Sequence, residues 1–169
     1  MVGYHGTSIG KAQQVCANGF CPSSGAGEWL GHGVYFWTAE DAAWVWATRF
    51  FGEKAAVVEA TLVLGHCLDL DQMSEEGRFL REVGAELVRD CEARSVAVPL
   101  DEGEEKRLQC AVVNRAAENT SPLTDSVMAT CPAGEIIVGT SFRSQTRMQI
   151  CIRSLQCVHH PLVLSRRNP

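Results

Sequence analysis

Tyr4-His5-Gly6-Thr7-Ser8 and, one predicted helix later, Leu30-Gly31-His32-Gly33-Val34-Tyr35-Phe36-Trp37 are the stretches that decide how this chain is read. Residues 2–7 read as a short strand. Ser8 is placed to cap the helix that follows, and Asn18-Gly19 supplies a left-handed stop for it. Residues 20–29 are rich in Gly, Ser and Pro and read as a loop. A second strand, Gly33 to Trp37, leads into Thr38-Ala39-Glu40-Asp41, which has the spacing of a capping box. The helix it opens carries Trp44, Trp46 and Phe50. Together the two stretches set a histidine, an aromatic ring and glycines that permit close backbone approach where a flat, polar ring can be gripped.

Outward from these motifs, the β-branched and apolar run from Ala56 to Leu64 predicts a strand, with a shorter one after Gly65-His66 through Leu70. Phe79, Leu80, Val83 and Leu87 keep helical spacing, as do Leu108, Ala111, Val112, Arg115 and Ala116. The acidic turn Asp101 to Glu105, after Pro99, lies between those helices and reads as a helix N-terminus favoured by the dipole. Strands return at Glu135 to Val138, at Met148 to Ile152 and near Val158. The expectation is one α+β domain over residues 1–164, with strands at both ends, helices between, and a flexible tail over 165–169.

The 169 residues suffice for one domain with a real core, and the 46% apolar content argues against disorder. A formal charge of -5 offers no broad basic face for nucleic acid. The start, Met1-Val2-Gly3, has no basic flank or apolar stretch of an export signal, and no apolar run approaches a membrane span. The reading is therefore cytoplasmic, with no membrane partner and with the eight cysteines as reduced thiols. No Cys-x-x-Cys pair occurs, and the nearest cluster, Cys151, Cys157, His159 and His160, lacks regular zinc spacing, so no metal is expected.

The two motifs, taken with their order and spacing, resemble the NAD-binding half of ADP-ribosyltransferases of the diphtheria-toxin and poly(ADP-ribose) polymerase type, the His-Tyr-Glu superfamily. The resemblance implies a split core of two small antiparallel sheets with flanking helices, and NAD as co-substrate. It implies that His5 orients the adenosine-side ribose and that Gly6 grips the nicotinamide carboxamide, with Thr7 and Gly33 in the same site. Tyr35 would stack on nicotinamide, and Trp46, one helical stretch later, would close the sandwich. The family's carboxamide-contacting serine is replaced here by Ala43.

At the third motif position the family has a glutamate on a late strand, where this chain has Gln149 in Met148-Gln149-Ile150-Cys151-Ile152. The glutamine oxygen still accepts a hydrogen bond from a ribose hydroxyl, but the full negative charge is gone. Gln145 and Glu135 are the alternatives for that position, and Arg49 and Lys54 are candidates for the pyrophosphate. The implied activity is single transfer of ADP-ribose to a macromolecular acceptor, with His5, Tyr35 and Gln149 as the catalytic set. Small stand-alone enzymes of this kind resemble toxins or defence effectors, which brings an antitoxin or immunity protein into view as a partner. Protein is favoured over nucleic acid as acceptor unless the arginines at 143, 147, 153, 166 and 167 share a face with the cleft. The alternatives are an NAD glycohydrolase and a non-catalytic module binding NAD or ADP-ribose.

Overall fold

The computed structural model describes residues 1–71, 75–94, 102–136 and 143–165, without the side chains of 76, 102–105, 132–136 and 143–144. The order is β1 (Val2–Ser8), α1 (Ile9–Asn18), β2 (Val34–Trp37), α2 (Glu40–Phe51), β3 (Ala55–Leu62), β4 (Cys67–Asp69), α3 (Glu75–Ala93), α4 (Glu102–Glu118), β5 (Ser126–Ile136), β6 (Arg143–Ile152) and β7 (Val158–Leu164). The protein is α+β. It differs from the expected pair of small antiparallel sheets: among the described residues seven strands form one sheet in the order β4-β5-β6-β2-β1-β3-β7. The sheet is mixed, since β4 runs parallel to β5 while the other neighbours are antiparallel.

What joins the halves is thin. β1 meets β2 at one register pair, Tyr4↔Trp37, whereas β1 pairs with β3 along its whole length from Val2↔Thr61 to Ser8↔Ala55. Beyond Tyr4 the strands diverge, and the sheet has a seam there. The His5 imidazole spans it, with Nδ1 2.8 Å from the Tyr35 carbonyl. A side chain thus takes the place of a ladder bond, which keeps the halves connected while leaving the seam open.

Alternation along the strands builds two apolar layers. Val34 and Phe36 of β2 pack with Ile150 and Ile152 of β6, Ala60 and Leu62 of β3, and Cys157. Tyr35 and Cys151 face the other way, into a layer with Leu30, Val127, Val83 of α3, and Val113 and Ala116 of α4. The helical spacing read from Phe79, Leu80, Val83 and Val112 is the face that α3 and α4 turn to this layer. α1 covers the β3 end of the first layer with Ala12 and Val15 over Ala56 and Val58.

Several boundaries differ from the sequence reading. The residue capping α2 is Ala39, with no side-chain cap bond, so the Thr38–Asp41 capping box does not form. Thr38 Oγ1 instead donates to the Met148 carbonyl at 3.5 Å, and Asp41 takes a two-pronged bond from Arg147, so both are held by β6. β5 begins at Ser126, and β6 extends back to Arg143, each several residues before the expected start. Glu102 to Glu105 belong to α4, while Pro99, Asp101, the end of the Glu135–Val138 run and residues 166–169 of the expected tail lie outside the described residues.

Candidate functional site

The seam opens into a cleft of about 990 Å³, at the upper end of the ~300–1,000 Å³ typical of small-molecule sites. His5, Gly6, Thr7, Gly33, Tyr35, Trp46 and Gln149 all line it. Residues from three separated segments therefore meet. Neighbouring residues on an ordinary sheet point to opposite faces, as Tyr35 and Phe36 do. The divergence of β1 from β2 lets His5, whose ring lies 5.8 Å from Phe36, share one opening with Tyr35 and Gln149.

The tautomer of His5 follows from its partner. A carbonyl only accepts, so Nδ1 carries the proton and Nε2 keeps its lone pair as an acceptor. Burial holds the pKa of His5 below the ordinary histidine value, overcoming the opposing effect of that bond, and the Lys11 charge lowers it further. The ring is wedged edge-on against Phe20 at 5.4 Å. Its chemistry is that of a fixed, neutral hydrogen-bond acceptor.

Tyr35 is pinned at its far end. Its hydroxyl donates to the Gly31 carbonyl at 2.7 Å and accepts from the Leu30 N–H at 2.9 Å. Burial pushes the phenol pKa far above its ordinary range, so the hydroxyl is no acid or base here. What Tyr35 offers a ligand is its ring. The loop it grips is also clamped from α4: Asn114 Oδ1 accepts from the His32 N–H at 2.9 Å and from Arg153 Nη1 at 2.7 Å. Gly31 sits at φ 77°, where side chains are strained, and a Cβ there would come within 2.7 Å of that Asn114 oxygen.

The other two glycines are needed for approach. A Cβ on Gly33 would lie 2.5 Å from Cys151 Sγ, and one on Gly6 would lie 2.7 Å from the Ala43 carbonyl and 3.1 Å from the Trp46 ring. α2 can thus lie directly on β1, with Ala43 fully buried and Trp46 37% exposed at the cleft wall. Trp46 is supported by Phe50 at 4.7 Å and Phe51 at 5.9 Å.

Gln149 is buried at 7% exposure, opposite Trp37 on β2 and Ala129 on β5. Its Oε1 accepts from the Trp29 indole N–H at 2.5 Å. An indole can only donate, so the amide orientation is fixed chemically. One oxygen lone pair and the amide N–H groups remain for other partners. Of the alternatives, Gln145 is exposed and bonded by Arg147, away from the cleft, and the Glu135 side chain is not described. Arg49 and Lys54 do not line the cleft either; Arg49 lies over the Phe50 ring.

The sequence reading missed Trp29, Glu28, Phe20 and Lys11, all of which line the cleft. Phe20, Glu28 and Trp29 lie in the stretch 20–29, whose Gly, Ser and Pro content predicts only a loop. That loop is built: Ser23 and Gly33 exchange backbone bonds at 2.9 and 3.1 Å, and the Glu28 N–H and Gly31 N–H close turns onto Gly25 and Glu28. Its immediate approach to Gly-x-Gly was the one available signal.

Arg147 is occupied by Asp41, and Arg153 by Asn114 and His32; neither lines the cleft. The Arg143 side chain and residues 166 and 167 lie outside what is described. Among the described residues no three His, Cys, Asp or Glu side chains converge as metal ligands, and no helix is long and apolar enough to cross a membrane. Cys151 and Cys157 pack in different apolar layers, and His159 and His160 are exposed. No protein family, curated protein or solved structure matches the chain.

Proposed function

We propose that this protein is an NAD-dependent mono-ADP-ribosyltransferase, its core a variant of that architecture with the two half-sheets joined at the β1–β2 seam. The observation that carries this reading is the meeting of His5, Gly6, Tyr35, Trp46 and Gln149 in one cleft of dinucleotide size. The residues suit the ligand. His5 Nε2 accepts from a ribose hydroxyl, the Gly6 backbone borders the cleft where a carboxamide would bond, and the Tyr35 and Trp46 rings offer apolar faces to a flat cationic ring. Gln149, oriented by Trp29, bonds the nicotinamide ribose through its remaining lone pair or its N–H groups.

Transfer needs the ribose held and its C1′ exposed to an incoming nucleophile while water is restrained. The glutamine cannot help deprotonate a second sugar hydroxyl, so a single ADP-ribose unit is transferred and no polymer grows. Lys11 is the cationic side chain at the cleft, which lacks a basic channel among the described residues, and this favours a protein over a nucleic acid as acceptor. A second reading, a module that binds NAD or ADP-ribose without turnover, is favoured by one specific feature: Gln149 carries no charge and spends part of its oxygen on Trp29.

Incubation of the protein and cell extract with NAD labelled on its adenosine side, wild type beside Tyr35→Ala, tests the proposal. Label should enter macromolecules with wild type, should fall at least tenfold in the variant, and should be released by protease and not by nuclease. Free nicotinamide without macromolecular label would show a glycohydrolase. Binding of NAD without nicotinamide release would leave the binding module.

A further inference from the structure

Two formally charged side chains line the cleft among the described residues, Lys11 and Glu28, and they come from different elements of its wall. Lys11 rises from the first turn of α1 and acts on His5. Glu28 stands in the loop before β2 and acts on the Tyr35 phenol and on the Cys110 and Cys151 thiols. Neither makes an ion pair among the described residues. Glu28 is half-buried, and its backbone is held at both sides, its N–H on Gly25 O at 3.3 Å and its C=O accepting from Gly31 N–H at 2.9 Å. The next residue, Trp29, is tied to Gln149. The loop therefore sets Glu28 in the cleft wall on the same segment whose Trp29 orients Gln149.

Resting on the NAD reading above, we infer that Glu28 supplies the negative charge absent from Gln149, facing the nicotinamide-ribosyl end of NAD while Lys11 faces the phosphates. These two charges would complement those of the ligand, which is anionic at the pyrophosphate and cationic at the nicotinamide. In the transfer, the bond from C1′ to the nicotinamide nitrogen breaks and its electron pair leaves on nicotinamide, which becomes neutral. The positive charge passes to the ribosyl carbon, opposite Glu28, until an acceptor X–H donates a lone pair to C1′ and its proton passes to water. A carboxylate on a loop held by its backbone bonds stabilises that developing cation more than the ground state, once the charge reaches the ribosyl carbon.

Wild type, Glu28→Gln and Glu28→Asp are compared for binding of NAD+ and NADH by calorimetry and for the rate of nicotinamide release, with thermal melting to confirm folding. Wild type should prefer the oxidised, cationic form. Glu28→Gln should erase that preference, lower release by about 100-fold, the scale of removing one preorganised electrostatic group, and weaken NAD+ binding less than about tenfold. Glu28→Asp should recover part of both effects. A Glu28→Gln protein that releases nicotinamide within threefold of wild type and keeps its preference overturns the role of Glu28 and leaves the NAD reading intact. A wild type that neither binds NAD+ nor releases nicotinamide overturns the NAD reading and this inference with it.

Discussion

His5 shows how much one side chain is asked to do. It bonds across the seam, packs against Phe20 and Phe36, and stays neutral because its burial opposes charging. Its folded-state pKa lies below the ordinary 6.5, so between the two values the unfolded chain binds more protons than the folded one. Stability from this group is fully present above about pH 6.5 and is lost as pH falls through the folded value. Urea midpoints measured from pH 8 down to pH 5 should therefore drop more steeply in wild type than in His5→Gln, and equal slopes would reject the buried neutral histidine. The position of His5 was legible because its motif is local. Its neutral state was not, since Tyr35 and Phe36 reach it from 30 residues away. Trp29 was missed for the same reason: nothing near it in the chain announces a bond to Gln149.

At the level of elements, the β1–β2 seam and the approach of β2 to β6 shape the cleft. Gly33, just before β2, faces Cys151 and the Ile152 carbonyl so closely that a methyl group has no room. Gly33→Ala should cost about 1–3 kcal/mol, as overpacking of a close-packed site does, read as a lower denaturant midpoint with an unchanged m-value. A variant of wild-type stability would mean that β2 lies farther from β6 than described. The element types at β1, α1, β2 and α2 were legible from alternation, caps and Gly/Pro punctuation. The capping box at α2 misled because Thr38 and Asp41 have better partners on β6, more than 100 residues later. Spacing reports what a segment does alone, and a distant strand can recruit the same hydroxyl and carboxylate.

For the whole molecule, the cysteines record which surfaces the fold closes. All eight are free thiols: Cys16 and Cys21 exposed, Cys67, Cys91 and Cys131 intermediate, and Cys110, Cys151 and Cys157 buried. Burial pushes the Cys151 thiol up to about 12, against the lowering effect of Arg153, so it is hidden and also poorly ionised. A chromogenic disulfide reagent at pH 8 should count two fast thiols in the native protein, three slower ones, and the last three only after denaturation. Eight thiols reacting together without denaturant would contradict the two-layer packing. The continuity of the sheet is also a property at this scale. Cys67–Asp69 joins as a parallel neighbour of β5, and the single pair Tyr4↔Trp37 links the halves.

By itself the sequence determined the α+β class, the strand–helix–strand–helix order of the first 51 residues, and the local setting of His5 and Tyr35 in their two motifs. Those depend on local periodicity, turn chemistry and spacing, which act over a few residues. Only the tertiary structure decided that the strands form one sheet with an open seam, that Gln149 joins His5 and Tyr35 there, and that Lys11 and Glu28 line the same cleft. These outcomes depend on register between strands far apart in the chain, set by the apolar faces they bury together, and that information is non-local.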